Sequence, residues 1–364
     1  MNKNKNLTYF FMVFYFLYSF KTILLSSAIE DTSIDILKNL FNIITLIMAG
    51  ISFLYIPFGR KVILATTLLL LVTNYIFYSS LAFYSYFVLL SMIFISEKIS
   101  HYEVVKLIFV LNIILILTIM PFVFFSNTFY VFDERFGYRL TLGFGNSNVM
   151  TQFFIMFFCI VNYFFALKKT KISMRNIISL LVFIPILILI YLSGSRTGLM
   201  MLTLCFLGFI WAINTKENIY NKKVYILYFI GVLSIIAIQF YLVNNFNANG
   251  LLITINQLLA GRVFYSNRLV NEVGHVPLFH GLNIDSYMPI DFYFIQTFYT
   301  LGAIATFVFL YIIISKMKKS NLTKYSVVVI FTCLIATATE SYFMIPLYNF
   351  SLFILFSKLD RREV

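Results

Sequence analysis

Five of the nine arginines fall in three short segments that also hold small, amidic and acidic residues. Asp133-Glu-Arg-Phe-Gly-Tyr-Arg139 carries Arg135 and Arg139 and runs into Gly143-Phe-Gly-Asn-Ser-Asn148. Ser193-Gly-Ser-Arg-Thr-Gly198 carries Arg196, with no acid in the connection. Arg262 and Arg268 precede the stretch Gly274 to Asp291, which holds His275, His280, Asp285 and Asp291. A planar guanidinium binds phosphate or carboxylate through two parallel N–H···O contacts, which an ammonium does not match. Histidine and aspartate can take a proton from an attacking hydroxyl. The combination points to an anionic substrate and a proton-transfer step.

Each segment also has a plainer reading. Arg196 either snorkels to lipid headgroups or meets an anionic ligand beside Gly194, Ser195 and Gly198, where backbone is approachable and a helix begins. Asn146 and Asn148 form an N-cap region that either only caps a helix or also holds a sugar or phosphate. Arg135 and Arg139 have Asp133 and Glu134 as nearby ion-pair partners, and such exposed pairs are common. Arg268 is spaced to pair with Glu272 on a helix. His275 and His280 are either proton-transfer groups or loop histidines satisfied by backbone. They lack a zinc-binding helical spacing, Pro277 separates them and no cysteine accompanies them, so no metal and no cofactor is expected.

The elements that must position these residues are membrane helices. The 364 residues are 61% hydrophobic and 11% charged, against about 25% charged in soluble domains, and mean hydropathy is +0.92. Apolar stretches near the ~20 residues needed to span a bilayer predict an all-α polytopic fold of about twelve transmembrane helices. They run over 7–26, 36–58, 62–79, 81–96, 104–125, 147–167, 176–193, 197–213, 224–243, 290–315, 325–339 and 341–357. The chain reads as a single integral membrane domain, 1–364, and the +13 net charge is not a nucleic-acid footprint. A large external loop, 244–289, separates the ninth and tenth helices. Leu252, Ile255, Leu259, Val263 and Val270 within it predict one amphipathic helix on the membrane surface, from Leu251 to Val273.

Loops with Arg60 and Lys61, Lys168 to Lys171, Lys316 to Lys319 and Lys358 share one side with both termini, which the positive-inside rule makes cytoplasmic. The N-terminal stretch lacks a small-residue cleavage site, so the first helix is expected to be retained. That side holds sixteen lysines and four arginines, and the other, Lys21 included, two lysines and five arginines. Lysine suffices to retain charge, so the external arginines look chosen for recognition. Lys21, Asn74, Asn112, Gln152, Asn162 and Glu340 are the few polar residues near the apolar spans. Lys21 is read as snorkelling and Glu340 as lying at an external helix end. Cys159, Cys205 and Cys333 fit small core residues better than a disulfide framework.

The ordered set Gly143-Phe-Gly-Asn-Ser-Asn148, Ser193-Gly-Ser-Arg-Thr-Gly198, Leu258-Leu-Ala-Gly-Arg262, Pro277-Leu-Phe-His-Gly281 and Ile290-Asp-Phe-Tyr293, leading to Gly302, resembles the Wzy-type polysaccharide polymerases and the related O-antigen ligases. The resemblance covers roughly 140–305. It implies a GT-C-like, inverting, metal-independent glycosyltransferase acting on undecaprenyl-pyrophosphate-linked oligosaccharides in the bacterial cytoplasmic membrane, with a flippase and chain-length regulators as partners. It implies pyrophosphate binding by Arg196 and Arg262, with Arg268, Arg135 and Arg139 as further candidates. Asn146, Asn148, Ser195, His275 and Asp285 are candidate substrate contacts. Asp291, aligned with an acidic position that precedes an aromatic in the polymerases, and His280, which departs from the histidine position of the ligases, stand together as base candidates. A ligase with a separate acceptor and a lipid-linked oligosaccharide flippase are the alternatives. A transporter commonly shows two related halves, whereas the long external loop has no counterpart in the first half.

Overall fold

A computed structural model describes residues 2–28, 32–126, 129–133, 137–215, 221–246 and 250–358. In chain order it contains α1 (Asn2–Leu25), α2 (Thr32–Ser52), α3 (Phe58–Tyr78), α4 (Ala82–Ser96) and α5 (His101–Ser126). A hairpin of β1 (Tyr130–Asp133) and β2 (Gly137–Leu140) follows, then α6 (Ser147–Leu167), α7 (Ile172–Leu192), α8 (Arg196–Asn214) and α9 (Asn221–Asn244). The last part holds α10 (Gly250–Leu258), α11 (Arg262–Val273), α12 (Tyr293–Leu301), α13 (Ala303–Lys319), α14 (Lys324–Ala336) and α15 (Ser351–Phe356).

Among the described residues, seven helices are long and apolar enough to cross a membrane: α1, α3 and α5 to α9. Apolar segments of α2, α4 and α14 are shorter. The set is that of an all-helical protein whose backbone hydrogen bonds close within each helix, as passage through hydrocarbon requires. α6 is apolar around its whole circumference and lies buried among α5, α7, α8 and α14. α3, α7 and α9 instead turn leucines and isoleucines such as Leu69, Leu181 and Leu227 outward, a placement that costs nothing where the surroundings are lipid tails.

Three expectations change. The tenth span, 290–315, is two helices, because Gly302 takes a left-handed φ of 80° and the loop before it packs into the break. Ala303 and Ile304 donate to the carbonyls of Pro277 and Leu278 at 2.8 and 3.1 Å, satisfying two N–H groups that a helix start leaves open. The twelfth span is mostly non-helical, with a 3-10 turn at Tyr342–Met344 and only six residues in α15. The backbone from Thr337 onward is paired by side chains of neighbouring helices and of the segment itself. Gln239 donates to the Thr337 carbonyl at 2.8 Å, Gln152 to that of Tyr348 at 3.3 Å, and Asn349 to that of Phe343 at 2.8 Å. Buried polar side chains here replace the hydrogen bonds that the broken helix gives up. Lys21, finally, does not snorkel: it is buried, donates to the Tyr84 hydroxyl at 3.0 Å and lies over that ring.

The external segment differs from expectation as well. Its single surface helix is α10 and α11, separated by Ala260 and Gly261 at φ 57° and 87°. Val263 and Leu269 of α11 pack with Val243, Ile284, Ile290 and Phe292 into a small core of their own, so α11 is anchored to α9 and to the 3-10 turn at Asp285–Tyr287. The three cysteines are free and buried, with the Cys159 and Cys205 sulfurs 3.1 Å apart.

The bundle has two distinct ends. At one, Ser27 bridges to Phe144, and the hairpin leans on the turn before α8 through Arg139 and the Ser193 carbonyl, 2.8 Å apart. At the other, Ser100 bridges to Lys358, and Arg60 and Lys316 both reach Glu97. Arg139, Arg196 and Arg262, expected to be external, lie at the first end, and Arg60, Lys316 and Lys358, expected to be cytoplasmic, at the second.

Candidate functional site

Three helix N-termini converge at the hairpin end. α6 starts after Asn146, whose side chain accepts from the Asn148 N–H at 2.8 Å. α8 starts after Ser195, whose hydroxyl accepts from the Gly198 N–H at 3.3 Å. The two starts lie close because residue 198 is glycine: a Cβ there would run into the Thr151 methyl. α11 starts at Arg262 directly after the left-handed Gly261. Each N-terminus presents the positive end of a helix dipole, an arrangement that favours anions, although at α11 the Arg262 and Phe264 N–H groups already donate to the Leu259 carbonyl and the Asn256 side chain.

Between them lies a cavity of about 280 Å³, near the lower bound of ~300 Å³ for small-molecule sites. Its wall includes Asp133, Arg139, Asn146, Asn148, Ser195, Arg196, Thr197, Arg262, Tyr265 and Asp291. Seven residues singled out from the sequence therefore meet, although Arg139 and Asp291 lie 152 residues apart in the chain. Arg139 is held from three sides, by the Ser193 carbonyl, by Asp133 at 3.2 Å and by the Asn148 amide oxygen at 3.3 Å. That same oxygen accepts from the Ser195 hydroxyl at 3.3 Å, so Asn148 ties the hairpin to the starts of α6 and α8. Arg196 is exposed at the rim.

Arg262 is the buried cation of the site. Its Nε donates to Asp291 Oδ2 at 2.9 Å and its Nη2 to Glu340 Oε1 at 2.9 Å. Asp291 lies on the cavity wall with its side chain 26% exposed, whereas Glu340 sits behind Arg262 at 8%. Glu340 also accepts from the Thr197 hydroxyl at 3.2 Å. Its Oε2 is buried and has no hydrogen-bond partner among the described residues. Glu340 follows the end of α14 in a turn, and burial pushes its carboxyl up to about 7 even though Arg262 pulls the other way. The chain matches no family model, no curated protein and no solved structure.

The remaining candidates lie elsewhere. Arg268 pairs with Glu272 at 3.0 Å, both half exposed, away from the cavity wall. His275 and Asp285 are exposed and do not line the cavity. His280 stacks on Tyr78, ring centroids 4.2 Å apart and planes 5° from parallel, while the Asn74 side chain accepts from the next N–H, of Gly281, at 2.8 Å. Arg135 lies outside the described residues. Sequence reasoning missed Glu340 as a site residue. Its only signal was an acid at the end of an apolar run, 78 residues from the arginine it meets.

Proposed function

We propose that the protein is a glycosyltransferase that polymerises undecaprenyl-pyrophosphate-linked oligosaccharide repeat units, working on the outer face of a bacterial cytoplasmic membrane with both termini inside. The convergence of Arg139, Arg196 and Arg262 with three helix N-termini on one cavity, beside Asp291, carries this reading. In the reaction, an acceptor hydroxyl oxygen bonds to the anomeric carbon as its proton passes to Asp291. The bond from that carbon to the phosphate oxygen breaks on the opposite face, and its electron pair leaves with the lipid diphosphate. Charge grows on the leaving group as the bond breaks. Guanidinium groups and helix N-termini already aimed at that position stabilise it most in the transition state. Asp291 is favoured over His280 as the proton acceptor because it lies on the cavity wall and the histidine does not.

The test is reconstitution of the purified protein in bilayers with its lipid-linked repeat unit and no nucleotide sugar. The expected product is a ladder spaced by one repeat. A single unchanged band, with substrate shown to reach the hairpin end, would overturn the polymerase reading in favour of a ligase or flippase.

A further inference from the structure

Arg262 is shared by two carboxylates that differ in one respect. Asp291 reaches it from the cavity side, flanked by Ile290 and Phe292, whose burial in the small external core pins the backbone and leaves the side chain to turn. Glu340 reaches it from the protein side, held by Thr197 and with its own N–H on the Ala336 carbonyl at 2.8 Å. An anion entering the cavity can therefore compete for Arg262 with the first carboxylate but has no path to the place of the second. The charged side chains on the wall are Arg139, Arg196 and Arg262 against Asp133 and Asp291, with Glu340 behind. A diphosphate thus enters a site whose cations are already engaged, and binds by exchanging partners.

Resting on the proposed function, we propose that Asp291 is released by its own substrate. The incoming diphosphate takes Asp291's place on Arg262 while Glu340, a positioning residue, keeps the guanidinium anchored. While paired with Arg262, Asp291 has its Oδ2 occupied by the guanidinium Nε–H at 2.9 Å. Once the diphosphate holds Arg262, the carboxylate is free to accept the acceptor hydroxyl's proton as the sugar transfers. Proton acceptance is thereby confined to the state in which a leaving group is bound.

The exchange gives the two carboxylates opposite signs in a binding experiment, with inorganic pyrophosphate as the probe and the full chain in nanodiscs. D291N leaves only a neutral amide to compete with the anion and should tighten pyrophosphate binding by about tenfold, since a charged partner holds arginine more strongly than a neutral one. E340A removes the anchor and should weaken binding by about tenfold or more, and E340Q, which keeps a carbonyl acceptor for Nη2, should restore most of it. Infrared difference spectra on adding pyrophosphate should show a carboxylate band that shifts in the wild type and is missing in D291N. Plain charge repulsion would leave the Arg262–Asp291 pair intact and that band unmoved. Unchanged or weaker binding by D291N, an unmoved band, or an E340A variant that binds like the wild type overturns the exchange while the anion site stands. Absence of pyrophosphate binding by the folded wild type overturns the anion site itself.

Discussion

At the end of the bundle opposite the hairpin, one carboxylate serves two cations; at the hairpin end, one arginine serves two carboxylates. Glu97 accepts from Arg60 at 2.8 and 3.3 Å and lies 3.6 Å from Lys316, while Arg60 and Lys316 cover the rings of Phe94 and Phe356. These contacts close the bundle and leave the cations spread over aromatic faces. Around Arg262 the order is inverted: the cation is buried, carboxylates take its Nε and Nη2, and one of them faces an open cavity. The architectural Arg60 lies on a ring and a carboxylate with part of its side chain open to the surroundings, whereas Arg262 is buried and keeps one partner on the cavity wall. Charge count alone does not tell the two apart.

The sharpest break of this comparison is the pair of variants R262A and R60A. R262A should abolish polymer and leave Asp291 and Glu340 facing each other without their cation, a loss of about 3–5 kcal/mol for a broken buried pair. R60A should still give the full ladder, with stability lowered by about 1 kcal/mol. Gel analysis and thermal unfolding of both in the same bilayers decide it, and loss of polymer in folded R60A would erase the distinction between the ends. R196A, at the cavity rim, should shorten or abolish polymer without lowering stability by more than about 0.5 kcal/mol.

A smaller effect concerns pH. The Glu340 carboxyl titrates at about 7 in the folded protein against an ordinary value of 4.5, so between those values the folded state binds the extra proton. Its contribution to stability is full below about 4.5 and is lost as pH rises through about 7. Melting temperatures across this window should fall with pH in the wild type and change less in E340Q. An identical slope in both would show that Glu340 is not the titrating group. The smallest effect is expected at Arg268, whose exposed pair with Glu272 contributes about 0.3–0.5 kcal/mol. R268A should make normal polymer and bind pyrophosphate like the wild type.

Much of the site was legible in sequence because its residues lie next to helix starts. Asn146 and Ser195 cap helices that begin where apolar runs begin, and Arg196 and Arg262 each open a helix, so all four had to lie at a bundle end. Arg268 shared a segment with Arg262 but not its fate. Six residues at about 100° each rotate a side chain by roughly 240° from its neighbour, enough to carry it off the cavity wall. His280 lies in a loop that caps the break at Gly302, and nothing local distinguishes such a loop from one that lines a pocket. Glu340 was visible only as an acid beside apolar residues.

The sequence by itself determined an all-helical chain of repeated apolar runs, with nearly all lysines in alternate connections and five of the nine arginines in the others. Hydrocarbon-length stretches leave the backbone no other way to satisfy its polar groups. Only the tertiary structure decided where helices break and which charges meet. Gly302, the segment after α14 and the pairing of Arg262 with Asp291 and Glu340 depend on groups far away in the chain, such as Gln152, Gln239 and the loop at Pro277. A helix can give up its own hydrogen bonds, or a charge be buried, only where such distant partners take their place.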